Sequence, residues 1–156
     1  MILKHFFASA AALLAFATTA AAQPGCALTA EPVRLSVKRG ENPEYRLKLK
    51  LPPGCHTNSH QPNDPDLIPL RLTWTPGALE PGATTFPKPD LEKYSFSSKP
   101  LSVFSGEFEI VTKFTRKPTA MPGPAMLSGK LRYQACNDRM CFPPRTIDVK
   151  VPVLLQ

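Results

Sequence analysis

What this sequence has least of is room for a helix. Its 19 prolines are spread along the whole length. Proline removes a backbone donor and clashes with the preceding helical turn, so scarcely a window is left for three unbroken turns. Motifs that announce chemistry are scarce as well. There is no phosphate loop, no Ser-His-Asp set and no paired-carboxylate signature, and Asp64 and Asp66 in "PNDPD" read as turn residues. Beyond Ala17 no apolar run approaches the ~20 residues of a membrane-spanning helix. Clustered positive charge is missing too. The net charge is +7, but the basic residues are dispersed, and in "YRLKLKL" (45–51) Arg46, Lys48 and Lys50 alternate with apolar residues, as on the wet face of a strand. Nucleic acid is therefore not an expected partner, although the charge favours an acidic protein surface.

The first residues indicate the compartment. Lys4 precedes an apolar run from Phe6 to Ala17, and Ala20 and Ala22 form the small-residue pattern that a signal peptidase reads. Residues 1–22 are thus expected to be a signal peptide cleaved after Ala22, which delivers residues 23–156 to an oxidising space where disulfides persist. A lipoprotein reading of "QPGC" with Cys26 as anchor fits less well, because Gln23 and Pro24 stand where an apolar and a small residue belong. The remaining chain of about 134 residues suffices for one domain with a proper core. It is expected not to span a membrane.

Period-two alternation recurs along it. Val33, Leu35 and Val37 alternate with polar residues, as do Tyr45, Leu47, Leu49 and Leu51, then Leu70, Leu72 and Trp74. Further on come Phe108, Ile110 and Phe114, then Leu131, Tyr133 and Ala135, then Ile147, Val149, Val151 and Val153. Short strands with one buried face, separated by Pro and Gly turns, predict an all-β antiparallel β-sandwich of immunoglobulin-like type. From Pro76 to Pro100 alternation is unclear, and this stretch reads equally as a functional loop or as a solvated connection with one short strand around Tyr94 to Ser97.

"LRYQACNDRMCFPP" (131–144) holds two of the four cysteines. Across an antiparallel hairpin the Cα atoms of Cys136 and Cys141 should lie roughly 4.5 to 5.5 Å apart, within reach of a disulfide. Closing about six residues removes little unfolded-state entropy, worth about 2 kcal/mol, whereas a bridge from Cys26 to Cys55 would close about thirty and contribute about 3.6 kcal/mol. The second would be the better staple, and the first could open with less damage. Register adds a constraint. Pairing Cys136 with Cys141 sets Leu131 against Thr146, while matching the apolar faces sets Leu131 against Ile147. One extra residue must be absorbed after Cys141, and Phe142-Pro143-Pro144 is the natural place for a bulge, since proline cannot donate to the ladder. Three roles remain open for the pair: a structural disulfide, a redox couple, or a metal site. For the last, "CHTNSH" with Cys55, His56 and His60 lies nearest and Met121, Met126 and Met140 would suit copper(I), but no spacing forces convergence on Cys136. His56 and His60 are expected to be surface or turn residues. No metal or cofactor is expected.

The segment "YQACNDRMCFPP" closely resembles the cysteine motif of the N-terminal periplasmic domain of DsbD and of its stand-alone secreted relatives, with supporting similarity in "PPGCHTNSHQP", "LIPLRLTW", "FPKPDLEKYSF" and "VFSGEFEI". The resemblance implies an immunoglobulin-like sandwich in the periplasm. Its cysteine pair would cycle between dithiol and disulfide, exchanging electrons with thioredoxin-like partners through mixed disulfides. It further implies that Cys141 forms the mixed disulfide and Cys136 resolves it. A cap loop bearing aromatics would shield the pair, falling near Lys93 to Gly106 with Tyr94, Phe96 or Phe104 as shields.

Some features depart from the pattern. The best-known members have one more residue between the cysteines, Cys55 stands where relatives often carry an aromatic, and Cys26 is an addition. Cys26 and Cys55 are accordingly candidates for a structural disulfide. The sequence contains no membrane segment after the signal and no thioredoxin-like module, so a separate membrane protein is expected to donate electrons. Arg139 and Arg145 favour a thiolate and Asp138 opposes it. The competing reading is a non-catalytic immunoglobulin-like binding module with two permanent disulfides, and a more distant one is periplasmic copper handling.

Overall fold

The computed structural model describes residues 25–156. The expected signal peptide and its cleavage point after Ala22 lie outside the described residues. Twelve strands follow one another: β1 (Thr29–Glu31), β2 (Leu35–Val37), β3 (Glu44–Lys50), β4 (His56–Asn58), β5 (Arg71–Trp74), β6 (Leu79–Thr85), β7 (Asp90–Glu92), β8 (Leu101–Ser105), β9 (Glu107–Arg116), β10 (Gly123–Tyr133), β11 (Ala135–Cys136) and β12 (Arg145–Leu155). Among the described residues there is no helix. The strands form three four-stranded sheets, ordered β1-β3-β9-β6, β2-β12-β10-β5 and β11-β4-β8-β7. Neighbours run antiparallel except β2 and β12, which are parallel. The fold is the all-β, immunoglobulin-like sandwich expected.

The first two sheets enclose the core, and alternation dictates which side chains enter it. In β3, Tyr45, Leu47 and Leu49 are buried while Arg46, Lys48 and Lys50 point to water, where Arg46 meets Glu44 and Glu109, and Lys50 meets Glu107. From the facing sheet come Leu127, Leu131, Val149, Val151 and Val153. Trp74 ties the two layers together. Its indole N–H donates to Thr112 Oγ1 at 3.0 Å, from β5 of one sheet to β9 of the other, and its ring meets Tyr45 and Phe114 edge to face at 5.9 and 5.6 Å. That ring fits because its cross-strand neighbour is Gly129, where a Cβ would lie 2.6 Å from Trp74 Cε3.

Three expectations need correction. The stretch from Pro76 to Pro100 contains β6 and β7. Strand β6 escapes a pattern search because Pro81 and Gly82 interrupt it, and one extra residue bulges between Pro81 and Thr84 against β9. Tyr94 to Ser97, expected as a strand, is a turn closed by the Ser97 N–H on the Tyr94 carbonyl. Val33 also faces solvent instead of the core, its N–H donating to Tyr45 Oη.

Candidate functional site

The third sheet positions the cysteines. The long ribbon of β10 and β12 keeps one register from Gly123↔Leu155 to Tyr133↔Arg145, with Leu131 opposite Ile147. At the tip the register changes. The Phe142 N–H donates to the Ala135 carbonyl at 2.8 Å and Cys136 bridges to Cys141, so Gln134 alone faces Pro143 and Pro144. This is the extra residue that matched apolar faces required, absorbed where two prolines cannot pair. On their other edge residues 135–136 pair with β4, Ala135 with Thr57 and Cys136 with His56.

Gln134 fixes this departure. Its side-chain N–H donates to the Phe142 carbonyl, and its Oε1 accepts from Asn58 Nδ2 and the Ile68 N–H. Thr57 Oγ1 donates to its carbonyl. The four residues between the cysteines form a turn held by Asn137, whose Oδ1 accepts from the N–H groups of Arg139 and Met140 at 2.9 and 2.8 Å. A short polar side chain next to Cys136 thus closes the loop on itself.

Cys136 and Cys141 are joined by a disulfide with Cα atoms 3.9 Å apart, closer than the hairpin spacing predicted, because the pair lies at an isolated bridge beside a tight turn and outside the regular ladder. The two sulfurs occupy unlike environments. Cys136 is 0 % exposed, whereas Cys141 is half-buried and followed by the exposed Pro143 and Pro144. Met140, beside Cys141, is 53 % exposed. Cys26 and Cys55 form a second disulfide, with Cα atoms 5.4 Å apart, which ties the start of the described chain to the residue before β4.

Over this sheet lies the segment after β7. Ser95 Oγ donates to the Asp138 carbonyl in the cysteine turn at 3.0 Å. Tyr94 stacks on His56, ring centroids 4.0 Å apart, and Phe96, 39 % exposed, stacks on Tyr94 at 5.5 Å. Tyr94 Oη donates to Glu92, and burial, reinforced by that carboxylate, holds the phenol well above its ordinary pKa. Tyr94 and Phe96 therefore stand in the neighbourhood of the disulfide. Phe104 does not. Pairing in β11-β4-β8 places Ala135, Thr57 and Phe104 on one face and Cys136, His56 and Ser105 on the other. Phe104 is 3 % exposed and packs on Phe108 at 4.9 Å as a core residue.

The histidines also differ from expectation. His56 lies in a strand, 2 % exposed, directly opposite Cys136, and His60 is half-buried between Phe86 and Phe104. Burial lowers both pKa values, with Glu92 opposing the effect at His56. A three-residue strand gives too short a pattern for the sequence to show which face His56 takes, and nothing in the sequence marks Gln134 as part of the site. Met121 and Met126 are exposed at other places. Among the described residues no group of three or more His, Cys, Asp or Glu side chains is arranged to hold a metal, and no helix is long and apolar enough to cross a membrane.

The family model described as "Thiol:disulfide interchange protein DsbD, N-terminal" matches residues 26–152, nearly all of the described chain. The chain belongs to this DsbD N-terminal domain family. Among solved structures, the reduced DsbD N-terminal domain of Neisseria meningitidis is similar at 18% identity, covering 70% of this chain and 82% of that one with a TM-score of 0.46. AggA, the major subunit of aggregative adherence fimbriae type I from Escherichia coli, matches at 10% identity over 84% of this chain and 94% of its own, with a TM-score of 0.42. No curated protein matches. Membership in the DsbD N-terminal family places a thiol-disulfide exchange module on the sandwich described above.

Proposed function

We propose that this protein is an exported, periplasmic carrier of reducing equivalents. Cys141 exchanges with thioredoxin-like proteins and Cys136 resolves the mixed disulfide. The observation that carries this reading is the asymmetry of the pair: a half-buried Cys141 beside an exposed turn and a fully buried Cys136 behind it. A partner's thiolate reaches the accessible sulfur, and the buried one is held in place to attack the same sulfur in return. Tyr94 and Phe96 serve as the cap over the pair, and the Cys26–Cys55 bond is structural. A separate membrane protein supplies the electrons.

The test is trapping from periplasm. Cys136→Ser should accumulate a mixed disulfide with thioredoxin-like proteins through Cys141, and Cys141→Ser should not. Equal trapping by both variants would overturn the assigned roles. Should the Cys136–Cys141 bond stay oxidised until well below about −300 mV in a glutathione series, the protein is instead a binding module with two permanent disulfides.

A further inference from the structure

Resolution of a mixed disulfide needs the Cys136 thiol to lose its proton, and Cys136 is 0 % exposed. A thiol buried among apolar groups resists ionisation, and thiolate is the attacking species. The proton therefore needs an acceptor inside the site.

The sheet supplies one. Cys136 on β11 is paired with His56 on β4, and residues paired across antiparallel strands present their side chains on the same face with Cβ atoms roughly 4.5 to 5.5 Å apart. His56 is itself buried, and its Nε2 has no hydrogen-bond partner among the described residues. An unpaired buried ring nitrogen costs stability, so this position is occupied at some expense to the fold. Tyr94 covers the ring at 4.0 Å, keeping water away from it.

The other groups around His56 are poorly placed to accept a proton from Cys136. From β7, Glu92 is engaged by the Tyr94 hydroxyl, and Asp90, opposite Val103 and two strands away from β4, is exposed to solvent. Tyr94 is held protonated. From β8, Ser105 faces His56 and carries no charge. Cys55, its chain neighbour, is in a disulfide. On the cysteine turn Asp138 and Arg139 are exposed. Burial keeps the His56 imidazole neutral in the oxidised protein, while the Glu92 carboxylate favours its charged form.

Building on the thiol-exchange reading above, we infer that His56 is the proton acceptor for Cys136 in the resolving step. The Cys136 S–H proton passes to the His56 imidazole, and the Cys136 thiolate attacks Cys141 Sγ. The Cys136–Cys141 bond forms as the bond from Cys141 to the partner sulfur breaks, and the partner leaves as a thiolate. The imidazolium then returns its proton to that thiolate or to solvent. Two electrons pass from this chain's dithiol to the partner's disulfide.

The test uses oxidised glutathione as the disulfide. Reduced protein is mixed with it, quenched with acid over time, and the glutathionylated and oxidised species are counted by mass spectrometry. His56→Phe keeps the ring on Tyr94 and removes the nitrogens. It should slow conversion of the glutathionylated protein to the Cys136–Cys141 disulfide by about 10²-fold or more near neutral pH. Capture by Cys141, measured in the Cys136→Ser background, should be the same with His56 or Phe at that position. The wild-type resolving rate should show an inflection below the thiol range, and that inflection should be absent in His56→Phe, whose rate climbs with pH toward the wild-type value above about pH 8.5. If His56→Phe does not fold, His56→Gln, which cannot titrate, carries the same expectations. Resolution at the wild-type rate with an unchanged pH profile in either variant overturns the role of His56 and leaves the exchange reading intact. A wild-type disulfide that never exchanges overturns both.

Discussion

Opening the Cys136–Cys141 bond should disturb this fold far less than opening Cys26–Cys55. The sequence separations are 5 and 29, and the chain-entropy relation converts loops of about 6 and 30 residues into about 2 and 3.6 kcal/mol. Unfolding entropy of about 2.1 cal/mol/K per residue gives roughly 0.28 kcal/mol/K for a domain of this size, so reduction should lower Tm by about 7 °C for the first bond and about 13 °C for the second. The comparison must cancel the loss of sulfur atoms, because Cys136 is fully buried. Each pair is therefore studied alone. Cys26→Ala with Cys55→Ala leaves the hairpin pair, and Cys136→Ala with Cys141→Ala leaves the other, and each protein is unfolded in its oxidised and reduced forms by calorimetry and by urea. The difference between the two forms of one chain is the contribution of its bond. If the short bridge stabilises as much as the long one, the argument that the hairpin pair is free to open is wrong. The same result would weaken the division into one working and one structural disulfide.

Three further outcomes follow from particular contacts. Tyr94→Ala removes the ring stacked on His56, an interaction of about 0.5 to 1.5 kcal/mol, and should speed reduction of Cys136–Cys141 by dithiothreitol several-fold; Phe104→Ala should leave that rate alone yet destabilise the domain by about 3 to 5 kcal/mol, and the reverse pattern would restore Phe104 as a shield. Gly129→Ala places a Cβ 2.6 Å from Trp74 Cε3, so urea unfolding should report a loss of about 1 to 3 kcal/mol and Trp74 fluorescence should shift. His56 and His60 have pKa values below the ordinary histidine value when folded, so the unfolded chain takes up their protons first; stability should be constant above about pH 7 and fall as pH drops through about 6.5, a fall that replacing both histidines with Phe should flatten.

Much of this was written locally. Alternation in "YRLKLKL" and in 147–153 determines which side chains are buried whatever the topology, since a period of two leaves one face dry. The conflict between the cysteine pairing and the apolar pairing of β10 with β12 was also visible, because register is arithmetic. The positions of Pro143 and Pro144 told where it would be relieved. By contrast, Phe104 and Tyr94 look alike as aromatics in one stretch of chain. Their separation, one into the core and one over His56, depends on β8 pairing with β4, a contact between residues some 47 positions apart. His56 illustrates the same limit. Nothing within "CHTNSH" says that it will stand opposite Cys136, because that neighbour comes from β11, 80 residues later in the chain. Periodicity indicated the main strands and their faces, and the resemblance in "YQACNDRMCFPP" pointed to the cysteine pair. Only long-range strand pairing decided which buried groups surround the sulfurs, because cross-strand neighbours are fixed by register between distant segments and not by the residues on either side in the chain.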